Sequence, residues 1–161
     1  MTETVKTTNP DSGPVGIGGW LLLPMLGLFA TPLVGLLESG DFLNIAEGWP
    51  YLNAMQRLLL VGELAFNVVL TLIAPILLLV LMFKWREEFP AWYAIWAAAV
   101  PLFLIADALL VRAAFRELHP GGVSDAFQKE TVRAIMRATV NAAIWIPYMM
   151  YSERVHNTFN K

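Results

Sequence analysis

The residues from Ile17 to Leu37 form a continuous run without a charged side chain. Roughly 20 apolar residues in an α-helix cross a hydrocarbon core of about 30 Å, so a run of this length matches one membrane crossing. A secretory signal would instead have a basic start, a shorter apolar stretch and a small-residue cleavage site. The run is therefore predicted to be a retained membrane helix.

The composition agrees with a membrane protein. Of the 161 residues, 57% are hydrophobic and 15% are charged, and the mean hydropathy is +0.57. This is more apolar surface than the core of one small soluble domain can hide. The formal charge of -2 provides no basic surface for nucleic acid. Because the chain has no cysteine, disulfides, thiolate catalysis and cysteine-based metal sites are excluded.

Three further apolar segments follow the first. The second and third are joined by the short charged sequence Lys84 to Glu88, which makes them antiparallel neighbours. A turn at Pro120-Gly121-Gly122 precedes the fourth. The sequence predicts an all-α integral membrane protein with four transmembrane helices in an antiparallel bundle, at about 17–37, 58–83, 91–111 and 134–151. The predicted domains are a mobile polar tail at 1–15, the membrane domain at 16–151 and a short C-terminal tail at 152–161.

Small residues are spaced by four in two of these helices. The first carries Gly27, Thr31 and Gly35, and the fourth carries a ridge of alanines at 134, 138 and 142. Such spacing lets helix backbones approach closely, which predicts packing contacts in the bundle and no ligand role for these ridges.

The orientation rests on a weak charge signal, because the cations divide almost evenly between the two sides. Lys84 and Arg86 occupy the shortest loop, where positive charge has most influence on topology. Aromatic residues, among them Trp20 and Trp92, form a belt on that same side. Both termini are therefore predicted to face the cytoplasm.

Motifs near the two ends of the chain suggest a family. The motifs are Gly18-Gly19-Trp20-Leu21 followed by Leu23-Pro24, then Ile144-Trp145-Ile146-Pro147-Tyr148 and Ser152-Glu153-Arg154-Val155. With them the chain resembles the bacterial domain-of-unknown-function 2569 family of small four-span inner-membrane proteins. The resemblance implies this fold and a location in the bacterial inner membrane. It supplies no catalytic residues, since the family has no established activity.

Three charged residues are predicted at a common depth on different helices, namely Glu63, Asp107 and Arg137. At about 1.5 Å of rise per residue, each lies within roughly 6–9 Å of the same end of its helix. A charge in hydrocarbon costs at least about 2.5–3.5 kcal/mol, so these side chains are expected to face the bundle interior and to find partners. Arg137 is the natural partner of both acids.

The predicted intramembrane polar cluster also includes Thr31 and Arg133, with Asn67 and Asn141 one turn deeper. Two interpretations stay open. In the first, the cluster is a buried ionic network that fixes helix register. In the second, an acid without a full partner provides a proton or cation site, or the cluster forms a pocket for a lipid headgroup or a partner helix.

No motif predicts catalysis. His119 and His156 are expected on opposite sides of the membrane and cannot share a metal, and no zinc-protease motif, phosphate loop or nucleophile elbow is present. The sequence therefore predicts a non-enzymatic protein without metal or cofactor. Its predicted role is as an accessory or assembly partner of another membrane protein, or as a lipid-binding module. The alternative is a small-solute or proton-linked transporter, acting as a homo-oligomer if one chain lacks a path.

Overall fold

The computed structural model describes residues 16–38, 49–114 and 129–159, and these residues are helical with no strand among them. Short 3₁₀ turns lie at Gly19–Leu21 and Trp49–Tyr51. The helices are α1 (Leu22–Glu38), α2 (Ala54–Phe83), α3 (Phe89–Ala114), α4 (Lys129–Tyr151) and α5 (Glu153–Phe159). The tail predicted at 1–15 and the Pro-Gly-Gly turn lie outside the described residues.

Three of the helices are long and apolar enough to cross a membrane, and they cover Gly19–Leu37, Ala54–Phe83 and Phe89–Ala114. The protein is thus an all-helical, multi-pass membrane protein, as the sequence predicted. The fourth helix, α4, is equally long but carries four charged residues in its first nine positions. Its crossing of the bilayer stays a prediction.

Helix α2 begins earlier than its predicted start at residue 58, because a capping box stabilises its first turn. The Asn53 side chain accepts a hydrogen bond from the Gln56 backbone N–H at 2.8 Å, and Gln56 Oε1 accepts from the Asn53 N–H at 3.0 Å. The side-chain nitrogen of Gln56, Nε2, donates to the Ala114 carbonyl at 3.2 Å. This contact joins the start of α2 to the end of α3, so the two helices are antiparallel.

The loop between α2 and α3 is a tight, hydrogen-bonded turn. Trp85 has a φ of 55° and donates to the Met82 carbonyl at 3.2 Å, while the Arg86 N–H donates to the Leu81 carbonyl at 3.1 Å. These two bonds form a Schellman motif, which satisfies carbonyls at the end of α2. In the same loop Arg86 pairs with Glu88, and its hydrogen bonds lower the pKa of that carboxyl group.

The best-packed part of the bundle lies where α1 begins, α2 ends and α3 begins. We call it the closed end and define it by Leu21, Met82, Phe89, Val155 and Phe159, each at most 2% exposed. The rings of Phe89 and Phe159 lie 4.8 Å apart. Close packing of these side chains stabilises the contact between the helix ends.

Two of these residues belong to α5, which the sequence analysis assigned to a short tail at 152–161. The structure places α5 against the bundle, with Val155, Thr158 and Phe159 buried. The difference has a physical reason: a helix of one to two turns shows too few apolar positions to reveal a period, and its stability comes from packing.

The helices pair unequally. The most extensive pairing is between α3 and α4, and α1 packs along the second half of α2. There the predicted small-residue ridge makes one close approach, since a Cβ atom on Gly35 would lie 3.1 Å from Thr71 Oγ1. A Cβ atom on Gly27 would instead point into open space, with no neighbouring helix within 4 Å. The ridge on α1 thus packs through Gly35 against α2.

Candidate functional site

A cavity of about 190 Å³ lies between α1, α2, α3 and α4. Three residues of the predicted polar cluster line it: Thr31 from α1, Asn67 from α2 and Asn141 from α4. The side contributed by α3 is mostly apolar and includes Val100 and Leu104. The deeper tier of the predicted cluster therefore surrounds one space.

The α2 wall of the cavity is shaped by an irregular stretch of helix. Residues Val69–Ile73 are π-helical, and the Ala74 N–H bonds to the carbonyl five residues before it. The Leu70 carbonyl loses its usual donor as a result, and the next candidate, Pro75, has no N–H. Trp96 Nε1 donates to this carbonyl at 2.8 Å. The indole thus satisfies a backbone group that the proline leaves without a donor.

Two of the polar groups in the cavity already have intrahelical bonds. Thr71 Oγ1 lies 2.8 Å from the Asn67 carbonyl and 3.2 Å from Asn67 Oδ1, and Thr31 Oγ1 donates to the Gly27 carbonyl at 2.8 Å. Within the described part of the chain, the amide nitrogens of Asn67 and Asn141 have no acceptor. These carboxamide donors are the groups that the cavity offers to a ligand.

Glu63 and Asp107 lie about one turn from the cavity. Glu63 precedes Asn67 by one turn of α2, and Asp107 follows Phe103 by one turn of α3. The stacked rings of Phe66 and Phe103, 5.7 Å apart, fix the register of the two helices at this level. Both carboxyl groups are half-buried and near enough for their charges to interact. The structure thus places the acids of α2 and α3 at a similar level, about one turn from the cavity.

The arginines of the predicted cluster are placed differently. Arg133 and Arg137 are exposed on α4, and no ion pair joins Arg137 to Glu63 or Asp107 in the structure as described. The face of α4 toward α3 carries small residues instead, since Ala142 is buried and Ala138 lines the cavity. The arginines and Asn141 follow one another at four-residue intervals, so they form a stripe on the helix surface. We call these three residues the α4 stripe.

Sequence reasoning missed Trp96 and Thr71, which complete the cavity wall. A proline inside an apolar helix was the available signal, because it always leaves helix carbonyls without a donor and calls for a substitute. Neither residue carries a charge, so a search for ionisable groups passed over both.

The two ends of the described chain meet at the closed end. A Cβ atom on Gly18 would lie 3.2 Å from Arg154 Nη1, and Gly19 has a φ of +57°, which favours glycine. The Gly16 N–H also donates to Thr158 Oγ1 at 2.9 Å. The first and last motifs of the sequence therefore form one packed unit, with the Arg154 guanidinium against the glycine backbone.

The family model described as Protein of unknown function (DUF2569) matches residues 14–160, a range that includes both of these motifs. The chain belongs to this family. DUF2569 thus covers every helix of the structure together with the cavity and the closed end. No curated protein and no solved structure matches the chain. Membership in DUF2569 supplies no activity, so the function must be inferred from the site.

Charge repulsion between Glu63 and Asp107 leads to a first prediction. At pH 8 in mild detergent, Glu63→Gln is expected to raise the thermal unfolding temperature. Asp107→Asn should raise it by less in the Glu63→Gln background than in the unmodified chain. Neighbouring groups show coupling of about 0.5–3 kcal/mol. Arg137→Gln should combine additively with either change. Strong coupling of Arg137 to an acid would instead support the ion-pair network predicted from the sequence.

Proposed function

We propose that this protein is a non-enzymatic accessory module of the bacterial inner membrane that binds a membrane-protein partner or a lipid. In this proposal α4 is the fourth membrane span and both termini are cytoplasmic. Two observations support the fourth span. The 23 residues of α4 extend over about 35 Å, enough to cross the hydrocarbon, and α4 packs extensively along the membrane-crossing helix α3.

The observation that carries the proposal is the exposure of the α4 stripe. Arg133, Arg137 and Asn141 are exposed on a helix that packs along a span, and they lack charged partners in the described residues. Intramembrane arginines cost at least about 2.5–3.5 kcal/mol near the bilayer centre, less near the interface, and are usually found with partners. A second protein or a lipid headgroup would supply the partner that the described residues do not.

Transport by a single chain is the weaker candidate because of the closed end. Leu21, Met82 and Phe89 are each 0% exposed, so a water path from the cavity would have to cross a packed apolar layer. A transport pathway would therefore need either a rearrangement of this layer or an oligomer with a path between chains.

The orientation can be tested with single cysteines, since the chain contains none of its own. Glu87 lies in the loop at the closed end and Tyr51 is 89% exposed before α2. An impermeant thiol reagent applied to intact spheroplasts should label Tyr51→Cys and spare Glu87→Cys. The reverse pattern would place both termini on the outer side.

The function itself is tested by purification in mild detergent, followed by identification of the proteins and lipids that remain bound. We expect a stoichiometric protein or a retained lipid with the unmodified chain, and its loss from the Arg133→Gln/Arg137→Gln double variant. Arg112→Gln, an exposed arginine on α3, is the control for loss of charge. A monodisperse protein without partner or lipid that dissipates a pH gradient in liposomes would support transport instead.

A further inference from the structure

The cavity reaches the surface between α1 and α4. The neighbouring pairs α1–α2, α2–α3 and α3–α4 all pack against each other, whereas α1 and α4 hardly do so. Both helices nevertheless line the cavity, through Thr31 and Asn141, and Asn141 is exposed. We call the gap between these two residues the side opening. In a four-span arrangement it faces the lipid.

The α4 stripe connects this opening to positive charge. Asn141 belongs to both features, and Arg137 and Arg133 precede it by one and two turns on the same side of α4. Two guanidinium groups on neighbouring turns can hold the oxygens of one phosphate through paired, charge-assisted hydrogen bonds. Their long apolar stems let the charged ends extend toward the headgroup layer.

The chemistry changes in order along the depth of the opening. The arginines come first, the carboxamides of Asn67 and Asn141 follow, and the apolar wall formed by Leu70 and Leu104 lies beside them. A phospholipid presents the matching order, because an anionic phosphate is followed by ester carbonyls that accept hydrogen bonds and then by acyl chains. An acidic helix from a partner protein would match the arginines but would leave the cavity unfilled.

We propose that the side opening binds one anionic phospholipid, with its phosphate on Arg133 and Arg137, its ester carbonyls at Asn141 and Asn67, and the upper part of one acyl chain in the cavity. The proposal rests on the proposed function, in which α4 spans the membrane, and names the lipid class that the module binds. A zwitterionic headgroup is disfavoured, since its ammonium group would lie beside two arginines.

Native mass spectrometry of the full chain in detergent tests this, with added phosphatidylglycerol or phosphatidylcholine as probes. We expect phosphatidylglycerol to bind about tenfold more tightly than phosphatidylcholine, because the two lipids share the phosphate but only phosphatidylcholine places an ammonium group beside the arginines; tenfold corresponds to about 1.4 kcal/mol. Arg133→Gln/Arg137→Gln should abolish this preference, and Arg112→Gln should keep it. Ala138→Leu fills the cavity and retains both arginines, and it should weaken the binding of phosphatidylglycerol severalfold. The unfolding temperature of each variant establishes that it is folded.

Several results would overturn the inference. Phosphatidylglycerol binding that survives in the double arginine variant would place the lipid elsewhere, while leaving a lipid-binding function intact. Equal binding by the Ala138→Leu variant, or equal competition by sn-glycerol 3-phosphate, would exclude insertion of a chain into the cavity. Absence of bound lipid together with an arginine-dependent protein partner would assign the α4 stripe to an acidic helix, which leaves the accessory function standing.

Discussion

Replacement of Phe159 by alanine is expected to lower the free energy of unfolding by about 3–5 kcal/mol, the usual cost of deleting a buried phenylalanine ring. Phe159 is 2% exposed, and its ring lies 4.8 Å from that of Phe89 and 6.4 Å from that of Trp85. It therefore packs α5 against the loop between α2 and α3 and against the start of α3.

Tyr151→Ala provides the matched control, because Tyr151 is an aromatic residue near the same end but is 85% exposed. Chemical unfolding in mild detergent should show a small loss of unfolding free energy for this variant and a large one for Phe159→Ala. Limited proteolysis shows how far the effect extends, since cleavage confined to α5 would indicate local detachment before global unfolding. Similar losses in the two variants would contradict the packing described for Phe159.

Replacement of Trp96 by phenylalanine should cost about 1–3 kcal/mol, because it leaves the Leu70 carbonyl without a donor inside the bundle. The loss should depend on Pro75. In a Pro75→Ala background the backbone regains an N–H at the position that faces the freed carbonyls, so the same Trp96→Phe change should cost less. The double variant should therefore lose less stability than the sum of the two single losses, by the amount found for residues in one hydrogen-bond network, about 0.5–3 kcal/mol.

A double-mutant cycle of unfolding free energies measures this coupling. Trp92→Phe is the control, since Trp92 lies one turn earlier on α3 and is 55% exposed. The loss of unfolding free energy caused by Trp92→Phe should be small and the same with proline or alanine at position 75. If the Trp96→Phe loss were the same with proline and with alanine at position 75, the indole would be stabilising the bundle through packing alone.

The structure explains which parts of the candidate site the sequence could predict. Depth along a helix follows from a fixed rise per residue, so counting residues could place Glu63 and Asp107 at a similar level and Asn67 and Asn141 one turn deeper, where both line the cavity. The direction of a side chain around its helix follows from packing with neighbours. In lipid both faces of a helix can be apolar, so the pattern of hydrophobic residues does not mark the inner one. This is why Arg137 was expected inside and is found exposed.

The fold was predictable to a similar extent. Long apolar runs with at most one charge each predicted α1, α2 and α3, because hydrocarbon thickness sets their length. The same criterion does not decide whether α4 crosses the membrane, since its first turns mix arginines with apolar residues. Helix α5 escaped prediction because its seven residues are stabilised by the surfaces they cover. Those surfaces come from distant parts of the sequence, such as Phe89 and Leu21.

The contact between Gly16 and Thr158, with Arg154 against Gly18 and Gly19, also constrains biogenesis. A protein is synthesised from its N-terminus, so the glycine turn before α1 is made long before α5 exists. That turn must wait with its backbone uncovered until residues 153–159 leave the ribosome. The packing of the closed end is complete only when α5 lies against this turn. Chains stalled or cleaved before α5 should accordingly be preferred substrates of membrane proteases.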